Sequence, residues 1–148
     1  MRDKGSNPDG AAPQSRCDPQ PLAPYPPGMP RIRVAAAQLN LVVGDLAGNE
    51  ARILDAYGRA AAVDADLVAF PELAITGYPP EDLLHRPAFV ADAAEVLAKL
   101  AARSGSTAAV IGCPELMADG TLANSAAPCA HGGVQGVYRN HFLPNDAG

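Results

Sequence analysis

Leu67-Val68-Ala69-Phe70 is a purely apolar run closed by Pro71, and no other stretch limits the folds open to this chain as strongly. A run of this kind reads as a strand buried on both faces, as inside a parallel sheet, and the proline after it cannot donate to a continuing ladder. Glu72 is left at the strand's exit, the end at which open α/β sheets place their chemistry. Flanked by Phe70, Leu73 and Ile75, its carboxyl would be partly withdrawn from water, and such withdrawal raises a carboxylic acid's pKa towards the range of a general base. The competing reading is a solvated acid that caps the next turn, because strand-end carboxylates are common and only some are catalytic.

The segments around that run alternate between two periods. Ile32, Val34 and Ala36 alternate with Arg33, Ala35 and Ala37, which predicts a first strand from Arg31 to about Gln38-Leu39-Asn40. After the turn "VVGDLAGN", Asn49 is the expected N-cap of a helix whose apolar face is Ile53, Leu54, Tyr57, Ala60 and Ala61. Pro79-Pro80 should start a short turn through Leu84, and Pro87 should open a second helix with the stripe Phe89, Val90, Ala93, Ala94, Val96, Leu97, Leu100 and Ala101. Strands are then expected at Ala108 to Gly112, Ala123 to Ala130 and Val134 to Arg139, with "HGG" as a hairpin turn. Pro128 inside the fourth strand argues for an edge position or a bulge. Strand, helix, strand, helix, strand, hairpin is an α/β layer pattern.

Residues 1–30 are different in kind. They hold eight of the fifteen prolines, and a segment such as "DPQPLAPYPPGMP" can continue neither a helix nor a ladder, so a disordered Pro-rich leader is expected there, with one domain over residues 31–148. The leader carries three basic and three acidic side chains, which leaves eight basic and thirteen acidic in the body. An acidic body argues against a nucleic-acid surface, which needs clustered Lys and Arg. No apolar stretch approaches the roughly 20 residues of a membrane span, and Arg2 and Lys4 are followed by no apolar secretion core. Three scattered cysteines, Cys17, Cys113 and Cys129, fit free thiols in a reducing compartment. A cytoplasmic protein is the expectation.

"FPELAITGYPPEDLL" at Phe70 to Leu84, "RVAAAQLNLVVGDLAGN" at Arg33 to Asn49 and "GVYRNHFLPN" at Gly136 to Asn145 together resemble the nitrilase, or carbon-nitrogen hydrolase, superfamily. The "GYPPEDLL" ending is particularly similar to the glutaminase domain of glutamine-dependent NAD synthetases. The resemblance implies the first half of a four-layer α-β-β-α sandwich, with an exposed sheet edge where further strands, or a second copy of the chain, would pair. It also implies glutamine as substrate: the complete enzymes take ammonia from glutamine and use ATP to amidate nicotinic acid adenine dinucleotide.

The family hydrolyses amides with a cysteine, a glutamate and a lysine, and without a metal. Glu72 matches the glutamate as general base, and Tyr78 is a candidate for lining the substrate pocket or, equally, for packing in the core. The lysine belongs to a Tyr-Arg-Lys-x-x-Leu-Pro pattern, which here reads Tyr138-Arg139-Asn140-His141-Phe142-Leu143-Pro144. Asn140 can donate a hydrogen bond but brings no charge, and is expected to be non-functional in the lysine's role. Arg139, adjacent in the strand, should point to the opposite sheet face. The family cysteine follows the lysine by some tens of residues, so it is expected beyond Gly148.

Cys113 and Cys129 read as small buried hydrophobes. With His131 they make neither a close cysteine pair nor a fourth ligand, so no metal is expected. No Gly-rich phosphate loop is present; Gly132-Gly133 suit a hairpin, and ATP would belong to an absent synthetase domain, leaving no cofactor in this part. The expectation is the N-terminal part of a glutamine-dependent NAD synthetase, inactive by itself. The alternatives are a non-catalytic nitrilase-like assembly or regulatory module and another carbon-nitrogen amidohydrolase.

Overall fold

The computed structural model describes residue 28 and residues 30–140. The expected leader lies outside them but for Gly28 and Pro30, as do His141 and the residues after it. The elements run β1 (Val34–Ala36), α1 (Leu46–Ala62), β2 (Leu67–Ala69), a short 3-10 turn (Glu81–His85), α2 (Pro87–Ala102), β3 (Ala108–Leu116), β4 (Leu122–Ala130), β5 (Gly133–Val134) and β6 (Tyr138–Arg139).

β1, β2 and β3 are parallel neighbours, β4 returns antiparallel to β3, and β5 and β6 both pair with β4. Two right-handed crossovers stepping the same way along a sheet put their helices on one face. Ile53 and Ala60 of α1 and Ala93, Val96 and Leu100 of α2 accordingly close over Val68, Ala109, Ile111, Cys113, Ala127 and Cys129 of the strands. On the outer face Val34 and Ala36 are exposed, Ala69, Val110, Ala126 and Pro128 are half-buried, and no helix or second sheet among the described residues covers them. A helix layer and a sheet are two of the four layers the resemblance implies. No described helix is long and apolar enough to cross a membrane.

Helix α2 starts at Pro87 and buries Val90, Ala93, Val96, Leu100 and Ala101; Ala94, expected in that stripe, is exposed. Elsewhere long-range pairing overrides the local signals. Helix α1 begins at Leu46, and its N-cap is Asp45, whose carboxylate accepts from Gly48 N at 2.9 Å; Asn49 is not the cap. Strand β3 runs past Gly112 to Leu116 because β4 pairs with it from Ala109↔Cys129 to Leu116↔Leu122. The single fifth strand expected over Val134 to Arg139 is divided into β5 and β6. Between them Gln135 turns back on β4, its backbone N donating to Pro128 O (2.7 Å) and its Nε2 to Ala130 O (2.7 Å). Pro128 thus stands opposite Val110 on one side and at a break in the ladder on the other.

Gly58 lies exposed within α1, and a Cβ placed on it would meet nothing within 4 Å. Its only effect is the backbone freedom that helix formation must remove. Gly58→Ala should therefore stabilise the domain by up to about 1 kcal/mol, read as a higher urea midpoint with an unchanged slope.

Candidate active site

The turn after β2 is seated on β3. Phe70 N still donates to Val110 O (2.9 Å), as the last bond before Pro71, and Ile75 N reaches Gly112 O at 3.4 Å. Gly112 is what allows the seat. A Cβ there would stand 2.4 Å from Pro71 O, 2.6 Å from Leu73 N and 2.9 Å from the Glu72 Cα. Leu73 takes a left-handed conformation with φ 47°, and Leu73, Ala74, Ile75 and Thr76 then run into the core.

A second clamp holds the far end of the turn. Asn49 is fully buried: its Oδ1 accepts from Val42 N (2.9 Å), while its Nδ2 donates to Val42 O (2.8 Å) and Ile75 O (3.0 Å). Gly44 N adds a bond to Thr76 O at 2.9 Å. Gly77, at φ 76°, lies so close to this loop that a Cβ on it would be 2.7 Å from Val43 N. The carboxamide expected to cap a helix instead ties the loop after β1 to the loop that carries Glu72.

Glu72 comes out at the rim. Its neighbours Leu73 and Ile75 turn inward, so the carboxyl is exposed, and the desolvation expected from flanking apolar residues is not supplied. Its Oε1 accepts from Asn124 Nδ2 on β4. Both side chains line an open cleft of about 380 Å³ on the outer sheet face, floored by Val110 and Gly112 and flanked by Tyr138 and Asn140. Asn140 N donates to Asn124 O at 2.8 Å, so β4 carries the residue that joins Glu72 to Asn140. Tyr78 does not line this cleft. The chain at Gly77 lies against Val42 and Val43, and Tyr78 leaves it 62% exposed.

Neither described cysteine faces Glu72. Cys113 and Cys129 are buried among the helix-facing side chains of β3 and β4. Burial, aided by nearby Cys129 and Glu115, pushes the Cys113 thiol up to about 12, and burial also raises Cys129. At neutral pH both are protonated thiols, unsuited to nucleophilic attack. His131 sits in the turn after β4 with φ 51°, and among the described residues no group of three or more His, Cys, Asp and Glu could hold a metal ion.

The helix-facing side has its own carboxylate. Arg139 grips Glu115 with two bonds, Nε to Oε2 at 2.9 Å and Nη2 to Oε1 at 2.6 Å, and Ser125 Oγ donates to Oε2 at 2.9 Å. Arg139 therefore does turn away from Asn140, as strand alternation requires. Asn124, Gly112 and Glu115 escaped the sequence reading. An isolated glycine within an apolar strand was the available sign for Gly112, since it marks close backbone approach.

Residues 33–147 match the family model for carbon-nitrogen hydrolases. The chain belongs to the carbon-nitrogen hydrolase family. Its relatives include the glutamine-dependent NAD(+) synthetases of Xanthomonas campestris, 42% identical over 117 residues, and of Aquifex aeolicus, 37% identical over 119. Those matches cover 78% and 77% of this chain but 21% and 20% of the relatives, so the chain spans about a fifth of their length. Among solved structures, a glutamine-dependent NAD(+) synthetase from Cytophaga hutchinsonii superposes with a TM-score of 0.74 at 32% identity, over 77% of this chain and 20% of that one. An amidase from Nesterenkonia sp. superposes at 0.65 and 27% identity, over 76% of this chain and 43% of its own. The chain thus matches the synthetase relatives only within their N-terminal amidohydrolase portion.

The Arg139 hydrogen bonds, more than any other contact, hold the Glu115 carboxyl below its ordinary value of 4.5. A carboxyl depressed on folding stabilises above its unfolded pKa, and that contribution is lost as pH falls through the folded one. The urea midpoint of Glu115→Gln should therefore lie below that of the wild type at pH 7, and the gap should close as the pH is taken below about 4.

Proposed function

We propose that this chain is the N-terminal part of a glutamine-dependent NAD synthetase, and that Glu72 is the general base of its amide-hydrolysing site. The observation that carries the reading is the cleft in which Glu72 and Asn140, the glutamate and lysine positions of the family, meet across Asn124. Identity near 40% to synthetases from several bacteria supports glutamine as the amide.

In this reading Glu72 takes the proton of a thiol as the thiol attacks the glutamine carboxamide carbon. It returns that proton to nitrogen as the C–N bond breaks and ammonia leaves, so the carboxylate is regenerated. The thiol is not Cys113 or Cys129, which lie on the other face of the sheet. Asn140 offers the developing oxyanion a neutral donor where a lysine would offer a charged one, and a charge-assisted bond is about twice as strong. ATP and the dinucleotide substrate belong to parts of the synthetase relatives that this chain does not match.

The open outer sheet face favours a second reading, a non-catalytic module that assembles through its sheet with a second copy. Sedimentation of the purified chain as a defined dimer with no amidase partner would support it, and a monomer would remove it.

The isolated chain should release no ammonia from glutamine above background, whereas turnover at the rate of a complete enzyme would refute the reading. For the positive test, residues 33–147 replace the matching segment of the Xanthomonas campestris relative, with Asn140→Lys restoring the cation. Glutamine-driven NAD formation is expected. Glu72→Gln should then lower it by about 10²–10⁴-fold while synthesis from supplied ammonia continues. An unchanged glutamine-driven rate in Glu72→Gln would refute the base assignment.

A further inference from the structure

We infer that Asn124 is the positioning residue of this site: its carboxamide fixes Glu72 Oε1 and leaves Oε2 as the oxygen that accepts the thiol proton. The inference rests on reading Glu72 as the base.

An exposed glutamate has three free torsions and loses side-chain entropy when confined to one arrangement. The apolar neighbours of Glu72 do not confine it, because they turn inward, so the confinement must come from a polar contact. Asn124 Nδ2 supplies one. A carboxamide suits the task because it donates without titrating and so never competes for the proton in transit. An Arg or Lys in its place would stabilise the charged carboxylate and weaken it as a base.

Asn124 is itself held on three sides. It lies within β4, opposite Pro114 of β3, its carbonyl accepts from Asn140 N at 2.8 Å, and the next residue, Ser125, is buried and bonded to Glu115 on the other face. The donor therefore stands on the sheet, while the group it orients stands on a turn. That division is what precise positioning requires, since displacement of a reacting group by about 1 Å costs on the order of 10²-fold in rate.

The test uses two readouts. In the full chain, isotope-labelled for NMR, the Glu72 side-chain three-bond couplings should report one dominant rotamer, and Asn124→Ala and Asn124→Asp should each convert it to an averaged set. Ser125→Ala, which leaves the donor in place, controls for general loosening of β4. In the grafted synthetase carrying Asn140→Lys, Asn124→Asp should lower kcat with glutamine about 10- to 100-fold with KM within twofold, and leave the ammonia-driven rate unchanged. A Glu72 rotamer unmoved by both Asn124 variants overturns the inference. So does a glutamine-driven rate that falls with Glu72→Gln but not with Asn124→Asp, and in that case the base assignment survives. If Glu72→Gln itself leaves that rate intact, the base assignment falls and the inference with it.

Discussion

One buried carboxamide governs where the working end of this molecule lies. Asn49 is shut off from water, and an amide placed there without partners would cost several kcal/mol. It stays only because both of its polar atoms are satisfied, by Val42 on one loop and by Ile75 on the other. Those loops leave β1 and β2 at the same end of the sheet. Joined through Asn49 and the Gly44–Thr76 bond, they behave as one unit, and the glutamate-bearing turn has a fixed foot at each end: Gly112 beneath it and the carboxamide behind it.

With the turn held in this way, the sheet can serve two carboxylates at once. Successive residues of a strand face opposite sides, and β4 uses that alternation directly: Asn124 bonds Glu72 on the open face, and Ser125 bonds Glu115 on the helix face. The end of β6 repeats the arrangement, with Arg139 gripping Glu115 and Asn140, the residue after the strand, on the cleft. The ion pair on the closed side thereby anchors the short strand whose end forms one wall of the cleft.

How much of this was legible in the sequence follows from the range of each interaction. The strand at Leu67–Ala69, the stop at Pro71 and the start of α2 at Pro87 rest on local chemistry, and the structure has all three; the burial expected on both faces of β2 is met on the helix face alone, where Val68 is buried, while Leu67 and Ala69 are half-buried. Asn49 was misread as a cap, because short polar side chains before a helix usually bond locally, and only the packed loops show a use for its amide 26 residues away. Asn124 was missed for the same reason: its partner is 52 residues distant. Glu72 is solvated because Leu73 and Ile75, its apolar neighbours in sequence, turn inward and are not its neighbours in space. Tyr78 follows a glycine whose left-handed turn presses the chain against the loop after β1, a direction that no propensity encodes.

The alternation of Asn124 and Ser125 carries a further meaning for folding. Were β4 to slide along β3 by a single residue, every side chain on it would change faces. The carboxamide would then be thrust among the aliphatic groups beneath α2, and the hydroxyl would be stranded over the cleft, so Glu72 would lose the Asn124 bond and Glu115 the Ser125 bond together. Misalignment is thus penalised twice, at polar groups on opposite sides of one strand, and the same two bonds that organise the site also proofread the hairpin that builds it.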